Sequence, residues 1–185
     1  MKYILGTKKE MTQMFRVDGV TEPVTLVQAL PVEISLIRTV QKDGYEAVQV
    51  RQGRVRREFR IMGGAISAIE GVLGDTLNVA QFLEGQKVTV SGISKGKGFQ
   101  GGVKRHGFHG ASKTHGVKHA HRQPGSIGAG GVQRVLKGQR MAGRMGSDRV
   151  TTKGVRVVKV YPEKNLIALK GGIPGSRGSL VEIRG

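Results

Sequence analysis

A chain of 185 residues has the length of one domain, or of one domain with a large insertion. Its 31 Lys and Arg residues against 13 Asp and Glu give a net charge of +18, which indicates a polyanionic partner. The lack of Cys excludes disulfides and thiolate sites. The longest aliphatic run, 166–169, is too short for a transmembrane helix, and the apolar run at 3–5 is too short for a signal peptide. We therefore expect a soluble, intracellular protein that binds nucleic acid.

Both ends of the chain show the alternation of apolar and polar residues that is typical of half-buried strands. Gly tolerates a positive φ, so Gln52-Gly53 predicts a two-residue hairpin. The apolar phase slips between Val157 and Val158, which predicts a β-bulge. Helix is limited to short turns at 65–72 and 78–83. The predicted strands, in chain order, are 24–29, 34–40, 45–51, 54–61, 87–93, 155–161, 166–170 and 180–183. Seven or eight short strands predict a mainly β fold, an antiparallel barrel or sandwich.

The basic residues are concentrated in the middle of the chain. Residues 1–93 hold 12 basic and 10 acidic side chains, and residues 150–185 hold 7 and 2. Residues 94–149 hold 12 basic side chains, one acid, all five His and 14 Gly. The sequence therefore predicts a globular domain formed by 1–93 and 150–185, with a basic, glycine-rich insertion at 94–149.

This insertion has too few apolar residues to fold alone. Burying its ten large apolar side chains would contribute roughly 15–30 kcal/mol, whereas ordering 56 backbones costs on the order of 50–100 kcal/mol. A single acid also rules out an internal network of ion pairs. A disordered linker is one interpretation, but scattered Phe, Ile, Leu and Met are unusual in a linker. We expect an extended arm that becomes ordered on its partner.

A glycine motif in the insertion resembles a nucleotide-binding loop but lacks the required context. Residues 96–101 match G-x-G-x-x-G after a predicted strand. A dinucleotide site needs a helix next and an acid about 20 residues later. We expect no helix start at 103–107, and no acid occurs before Asp148. The glycines instead favour close approach of the backbone to phosphates, with Lys95 and Lys97 beside them.

Three histidines could suggest a metal site. His115 and His119 are four residues apart, and His121 follows. Gly116 and Pro124 disfavour a long helix, and no carboxylate or thiol completes a ligand set. Histidine also contacts phosphates and stacks on bases. We therefore expect RNA contact or a local structural role and no metal, and the scarcity of acids argues against a catalytic base.

Several motifs, in order along almost the whole chain, resemble the bacterial form of large-subunit ribosomal protein three. The most specific of them is SKGKGFQG at 94–101, followed by Lys104-Arg105. The others lie at 6–15, 74–77, 85–88, 121–128, 137–143, 165–167 and 170–175.

The resemblance implies an antiparallel β-barrel like that of the translation factors, with a long extended basic arm inserted between two strands. It implies a structural protein, not an enzyme, that binds large-subunit rRNA near its 3′ region and helps nucleate assembly. The arm would run toward the peptidyl transferase centre and brace it. The implied partners are rRNA and neighbouring ribosomal proteins, without a cofactor, membrane or small-molecule substrate. The implied location is the ribosome in the cytoplasm of a bacterium or in an organelle of bacterial descent.

Basic and histidine side chains of the arm are the expected rRNA contacts, because cations neutralise phosphates and Arg also stacks on bases. They are Lys95, Lys97, Lys104, Arg105, His109, Lys113, Lys118, His119, Arg122, Arg134, Lys137, Arg140, Arg144 and Arg149. The expected tip near the peptidyl transferase centre is Gly125, Ser126, Ile127, Gly128, Ala129, Gly130 and Gly131. Two alternatives stay open from sequence: an RNA chaperone outside the ribosome, and a nucleotide-using enzyme built on 96–101.

Overall fold

The computed structural model describes residues 2–16, 18–61 and 72–185. The described strands are β1 (Tyr3–Phe15), β2 (Thr21–Gln28), β3 (Val32–Arg38), β4 (Ala47–Gln52), β5 (Val55–Arg60), β6 (Thr76–Leu77), β7 (Lys87–Ile93), β8 (Phe99–Gln100), β9 (Gly143–Arg144), β10 (Arg149–Tyr161), β11 (Leu166–Lys170) and β12 (Leu180–Arg184). The described α-helices are α1 (Val40–Asp43) and α2 (Gly102–His106), and 3-10 turns lie at Val79–Gln81, Gly130–Val132 and Pro162–Lys164. The predicted mainly β class is therefore confirmed.

Six strands form a closed antiparallel barrel in the order β1-β12-β7-β10-β11-β2, which confirms the predicted barrel. The two 13-residue strands, β1 and β10, are interrupted by register shifts. One shift lies between Lys8 and Met11, and another lies between Val157 and Lys159, where the sequence predicted a bulge. A bulge bends a strand, which helps so long a strand to follow the curved wall of a barrel.

A second antiparallel sheet has the order β5-β4-β3-β6. Its β4–β5 hairpin pairs Gln52 with Val55, so the turn is Gly53-Arg54, one residue later than predicted. Gly53 has a φ of +56°, a conformation that costs Gly little and other residues more.

The core joins the barrel to the second sheet. One cluster of buried side chains includes Ile4 and Leu5 from the barrel and Val48 and Val50 from the second sheet. The Tyr3 ring stacks on the Phe59 ring with 4.7 Å between centroids. Each such side chain contributes about 1.5–3 kcal/mol when fully buried, so the two sheets stabilise each other.

The structure differs from the sequence predictions at several elements. β1 was not predicted, because 6–13 lack the apolar alternation of a half-buried strand. The strand predicted at 34–40 ends at Arg38, and α1 begins at Val40. The turn predicted at 78–83 contains a 3-10 turn over Val79–Gln81, and the Ala80 N–H donates to the Asn78 side chain that caps it. The turn predicted at 65–72 falls almost wholly outside the described residues.

A buried carboxylate connects three barrel strands and the end of β1. Glu22 on β2 pairs with Arg16, with Arg156 on β10 and, at 3.1 Å, with Lys170 on β11. The hydrogen bond from Arg16 is the main cause that lowers the pKa of Glu22 to about 2, and Lys170 and Arg156 act in the same direction. The contacts of the folded barrel therefore stabilise the charged form of the Glu22 carboxyl group.

The chain divides into two units. One comprises residues 1–94 and 149–185, which hold the barrel and the second sheet, and the other comprises 95–148. The sequence predicted an insertion at 94–149 in the form of an extended arm. Its extended conformation stays a prediction.

Candidate nucleic-acid interface

The two ends of 95–148 are joined by a short antiparallel ladder. β8 pairs with β9, Phe99 opposite Arg144 and Gln100 opposite Gly143. The Lys97 N–H donates to the Met145 carbonyl at 2.9 Å, and the Met145 N–H donates to the Gly98 carbonyl at 3.0 Å. The lysines at 95 and 97 therefore lie beside a hydrogen-bonded backbone.

A single helical turn follows this ladder, which corrects the expectation that 103–107 start no helix. α2 runs over Gly102–His106 and ends at Gly107, whose φ is +73°. Gly102 is buried, and a Cβ there would lie 2.7 Å from the Phe108 ring. The missing side chain lets Phe108 close over the turn. The required acid is still missing, so the reading of 96–101 as a dinucleotide loop gains no support.

Two side chains of α2 form hydrogen bonds to the segment just before β9. Arg105 Nη1 donates to the Met141 carbonyl at 2.7 Å, and His106 Nε2 donates to the same carbonyl at 2.9 Å. A Cβ at Gly143 would lie 2.7 Å from Arg105 Nη1. Arg105 therefore has a structural role, and its contact with rRNA stays a prediction. His106 was not predicted, and no spacing signal connects it to a residue 35 positions away.

A second set of hydrogen bonds joins the two ends of the segment from 110 to 121. The Ala111 N–H donates to the His121 carbonyl at 3.1 Å, and His121 Nδ1 donates to the Ser112 carbonyl at 3.2 Å. A Cβ on Gly110 would lie 2.1 Å from the His121 carbonyl oxygen. Only Gly fits there, because its φ of +76° is also in the left-handed region.

Outside these connections, the basic side chains of 95–148 point into solvent. The structure describes all 54 of these residues, and it buries only Gly102. No carboxylate outside 95–148, in the described part of the chain, forms an ion pair with a Lys or Arg of that segment. The exposed members of the predicted set are Lys95, Lys97, Lys104, His109, Lys113, Lys118, His119, Arg122, Arg134, Lys137, Arg140, Arg144 and Arg149.

Arg149 differs from the others because it belongs to the barrel unit. It is the first residue of β10, and its guanidinium pairs with Glu182 on β12. Its side chain is still 58% exposed. Arg149 is therefore neutralised in part by the protein itself.

The predicted tip is exposed throughout. Residues 125–131 have no buried member, and Ile127 keeps 41% of its surface exposed. The Ser126 hydroxyl donates to the Gly128 carbonyl at 3.1 Å, and a 3-10 turn begins at Gly130. The tip is therefore held by local contacts and is open to solvent.

The histidines are not arranged as a metal site in the described residues. No group of three or more His, Asp or Glu side chains there is placed to hold an ion. His106 and His121 bond to backbone carbonyls, while His109, His115 and His119 are exposed. In the same residues, no helix has both the length and the apolar character needed to cross a membrane.

Comparison with known proteins decides the family. The family model described as Ribosomal protein L3 matches residues 41–165. The chain belongs to the ribosomal protein L3 family. It is 43% identical to the large ribosomal subunit protein uL3 of Carboxydothermus hydrogenoformans, over 99% of this chain and 96% of that protein. It is 47% identical to the uL3 protein of Roseiflexus sp., over 98% of this chain and 95% of that protein.

The L3 family resemblance seen in the sequence is thus confirmed over nearly the whole chain. The proteins of this family are structural and not enzymatic. The glycine loop at 96–101 and the histidines of 95–148 therefore have no catalytic assignment.

Proposed function

We propose that this L3 family protein is a structural component of the large ribosomal subunit and binds its rRNA through residues 95–148. The observation that carries the proposal is the exposure of 10 of the 11 Lys and Arg side chains of 95–148, with no ion-pair partner among the described carboxylates outside that segment. The relatives named above are themselves large ribosomal subunit proteins.

The charge pattern of 95–148 favours binding to an external anion. The eleven basic side chains of these 54 residues repel one another in the free protein, and a single acid offsets little of that repulsion. RNA phosphates remove this repulsion, and each contact releases counterions, which steepens the log–log salt dependence of binding by roughly 0.7–0.9. The internal connections at Met141 and His121 limit the backbone entropy that is lost on binding.

The finer assignment follows the family resemblance. The protein binds near the 3′ region of the large-subunit rRNA, helps nucleate assembly and contacts neighbouring ribosomal proteins. Residues 95–148 run as an arm toward the peptidyl transferase centre, with 125–131 closest to it. The rRNA performs the chemistry and the arm braces it. The ribosome is that of a bacterial cytoplasm or of an organelle of bacterial descent.

Salt-dependent binding to a large-subunit rRNA transcript tests the electrostatic mechanism. The arm variant is Lys113→Ala/Lys118→Ala/Arg122→Ala, and the matched control is Lys9→Ala/Lys42→Ala/Lys164→Ala, which removes three exposed cations outside 95–148. If all three arm cations contact phosphates, the log–log slope falls by roughly 2. The control variant keeps the wild-type slope. An arm variant with the wild-type slope refutes the mechanism.

Crosslinking and sedimentation test the ribosomal placement. Photo-crosslinkers at positions from 95 to 149 are expected to reach rRNA in assembled subunits, with 125–131 crosslinking near the peptidyl transferase centre. A core component stays with the large subunit through a moderate salt wash. Release in that wash would favour the alternative of a free RNA chaperone.

A further inference from the structure

A groove at the end of the β1–β2 hairpin differs in chemistry from the basic segment 95–148. It is an open groove of ≈ 700 Å³ between this hairpin, the turn at 84–85 and β10. We refer to it as the hairpin groove. Its charged lining residues are Arg16, Asp18, Glu22, Glu84, Arg156 and Lys159.

The hairpin groove exposes apolar side chains that the core does not use. Phe15 keeps 71% of its surface exposed, and Met14 and Val158 are half-buried in the lining. The register of β10 shifts between Val157 and Lys159, and a bulge of this kind re-aims the side chain beside it. Val157 is therefore buried in the core, while its neighbour Val158 is left at the groove. This accounts for the slip in apolar phase that the sequence shows at 157–158.

Internal bonds hold both walls of the hairpin groove. The Gly85 N–H donates to the Val157 carbonyl at 2.8 Å, and the Val157 N–H donates to the Gln86 carbonyl at 2.9 Å. On the other side, Arg16 of the hairpin and Arg156 of β10 both pair with the buried Glu22. A groove that is formed before binding loses little conformational entropy when a ligand enters it.

The charges that stay available at the rim include two carboxylates. Glu84 is exposed and takes part in no ion pair among the described residues. The Asp18 side chain is 57% exposed and lies 3.8 Å from Arg16. The Lys159 ammonium lies over the Tyr161 ring, 5.4 Å from its centroid. Because carboxylates repel phosphates and attract Lys and Arg side chains, this rim disfavours RNA and favours a cationic ligand.

We propose that the hairpin groove binds a basic segment of a neighbouring protein in the large subunit. An apolar side chain of that segment packs against Phe15 and Val158, and a Lys or Arg of the same segment pairs with Glu84. The inference rests on the proposed function, since it assumes that the chain lies beside other proteins in the subunit. Phe, Met and Arg are enriched in protein interfaces, and a contiguous exposed apolar patch marks an interaction site.

Photo-crosslinking in assembled large subunits tests the class of partner. The chain has no native Cys, so Lys159→Cys carries one benzophenone probe at the rim. Lys42→Cys carries the same probe at an exposed Lys of the same unit that does not line the groove. The probe at 159 is expected to link to a Lys- or Arg-rich protein segment at least several-fold more than the probe at 42. Links to rRNA alone, links to an acidic protein segment, or no excess over the probe at 42 would overturn the inference.

The charge of residue 84 tests the proposed ion pair. In the chain with the probe at 159, Glu84→Lys is expected to lower the protein crosslink at least several-fold, because it sets like charges against each other. Glu84→Gln is expected to lower it less. Glu163→Lys and Glu163→Gln are the controls, since they change an exposed acid outside the groove, and they are expected to leave the yield unchanged. If Glu84→Lys instead raises crosslinking to rRNA, the occupant is RNA and the inference is wrong.

The aromatic ring of Phe15 tests the apolar contact. Phe15→Ala is expected to lower the same protein crosslink at least several-fold. Val40→Ala is the control, because it shortens an apolar residue of α1 that is 57% exposed and lies outside the groove. A thermal melt of each variant verifies folding. Equal yields in these two variants would contradict the docking of an apolar side chain at Phe15.

The outcomes separate this inference from the proposed function. If probes in 95–148 reach rRNA and the probe at 159 reaches no protein, the hairpin groove is not a docking site and the proposed function stands. If the probe at 159 links to a basic protein segment while probes in 95–148 miss the rRNA, the groove is supported and RNA binding through 95–148 is refuted. A chain that does not enter the large subunit refutes both.

Discussion

Lys104 and Arg105 are adjacent cations with different environments. Lys104 points into solvent, whereas Arg105 holds the Met141 carbonyl. Lys104→Ala is expected to lower the salt slope of RNA binding by ~0.7–0.9 and to leave the free protein unchanged. Arg105→Ala is expected to speed amide exchange at 102–107 and 139–145 in the free protein. Equal exchange in the two variants would show that the Arg105 contact does not order the segment.

Gly110 and Gly116 provide a matched pair for the closure at His121. Both have a positive φ, +76° and +80°, so Ala at either position costs about 1–2 kcal/mol of local strain. Only at 110 would the Cβ meet a backbone oxygen. Gly110→Ala is expected to abolish the protection of the Ala111 amide, while Gly116→Ala leaves it in place. Protection of Ala111 in both variants would contradict the structural role of Gly110.

For single residues, the sequence shows which side chains are charged but does not predict which of them form hydrogen bonds within the protein. The 14 predicted rRNA contacts follow from a charge imbalance that is visible in the composition, and 13 of them are exposed. The bonds of Arg105 and His121 to backbone carbonyls depend on how the chain turns. No periodic pattern in 95–148 encodes those turns, so sequence reasoning missed them.

Among the elements, β2 is held to β10 and β11 by the charge of Glu22. The pKa of Glu22 falls from 4.5 to about 2 in the folded protein, because Arg16, Lys170 and Arg156 stabilise the carboxylate. The charged contacts therefore stabilise the fold above pH 4.5, and this contribution is lost as the pH falls toward 2.

Glu22→Gln is expected to lower the free energy of unfolding at pH 7 and to flatten its dependence on pH between 4.5 and 2. Urea unfolding at several pH values measures both effects. Glu163→Gln is the control, because Glu163 is exposed and has no ion pair among the described residues. If Glu22→Gln and the wild type lose stability in parallel over this range, the Glu22 cluster does not govern acid stability.

Strands with one buried face were predictable, and the others were not. The boundaries at 87–93 and 166–170 agree with the structure because apolar side chains mark them clearly. The exposed half of β1 carries polar residues on both faces, so its strand form comes from pairing with β2 rather than from its own pattern. α2 is only five residues long, with one Gly and two cations, and its form depends on Phe108 closing over Gly102.

For the whole molecule, the two units are expected to differ in stability. The barrel and second sheet share a buried core, whereas 95–148 bury a single glycine. Amide exchange in RNA-free buffer is expected to be slow in β7, β11 and β12 and at least a hundredfold faster over most of 111–140, because few backbone bonds there are shielded. Binding of rRNA is expected to slow exchange in 111–140.

Slow exchange throughout 95–148 in the free protein would refute the view that the RNA orders this segment. A truncated rRNA transcript that the protein does not bind serves as the control. It is expected to leave exchange in 111–140 as fast as in the free protein.

The inserted segment leaves the barrel at the end of β7 and returns at the start of β10, at two residues that pair across these strands. Ile93 and Arg149 are register partners across β7 and β10, so the polypeptide enters and exits at adjacent points. Closing a loop of twice the length costs only about 0.6 kcal/mol more. Homologues can therefore lengthen, shorten or rewrite the inserted segment independently of the scaffold that carries it, and a protein engineer can graft a foreign segment between the same two positions.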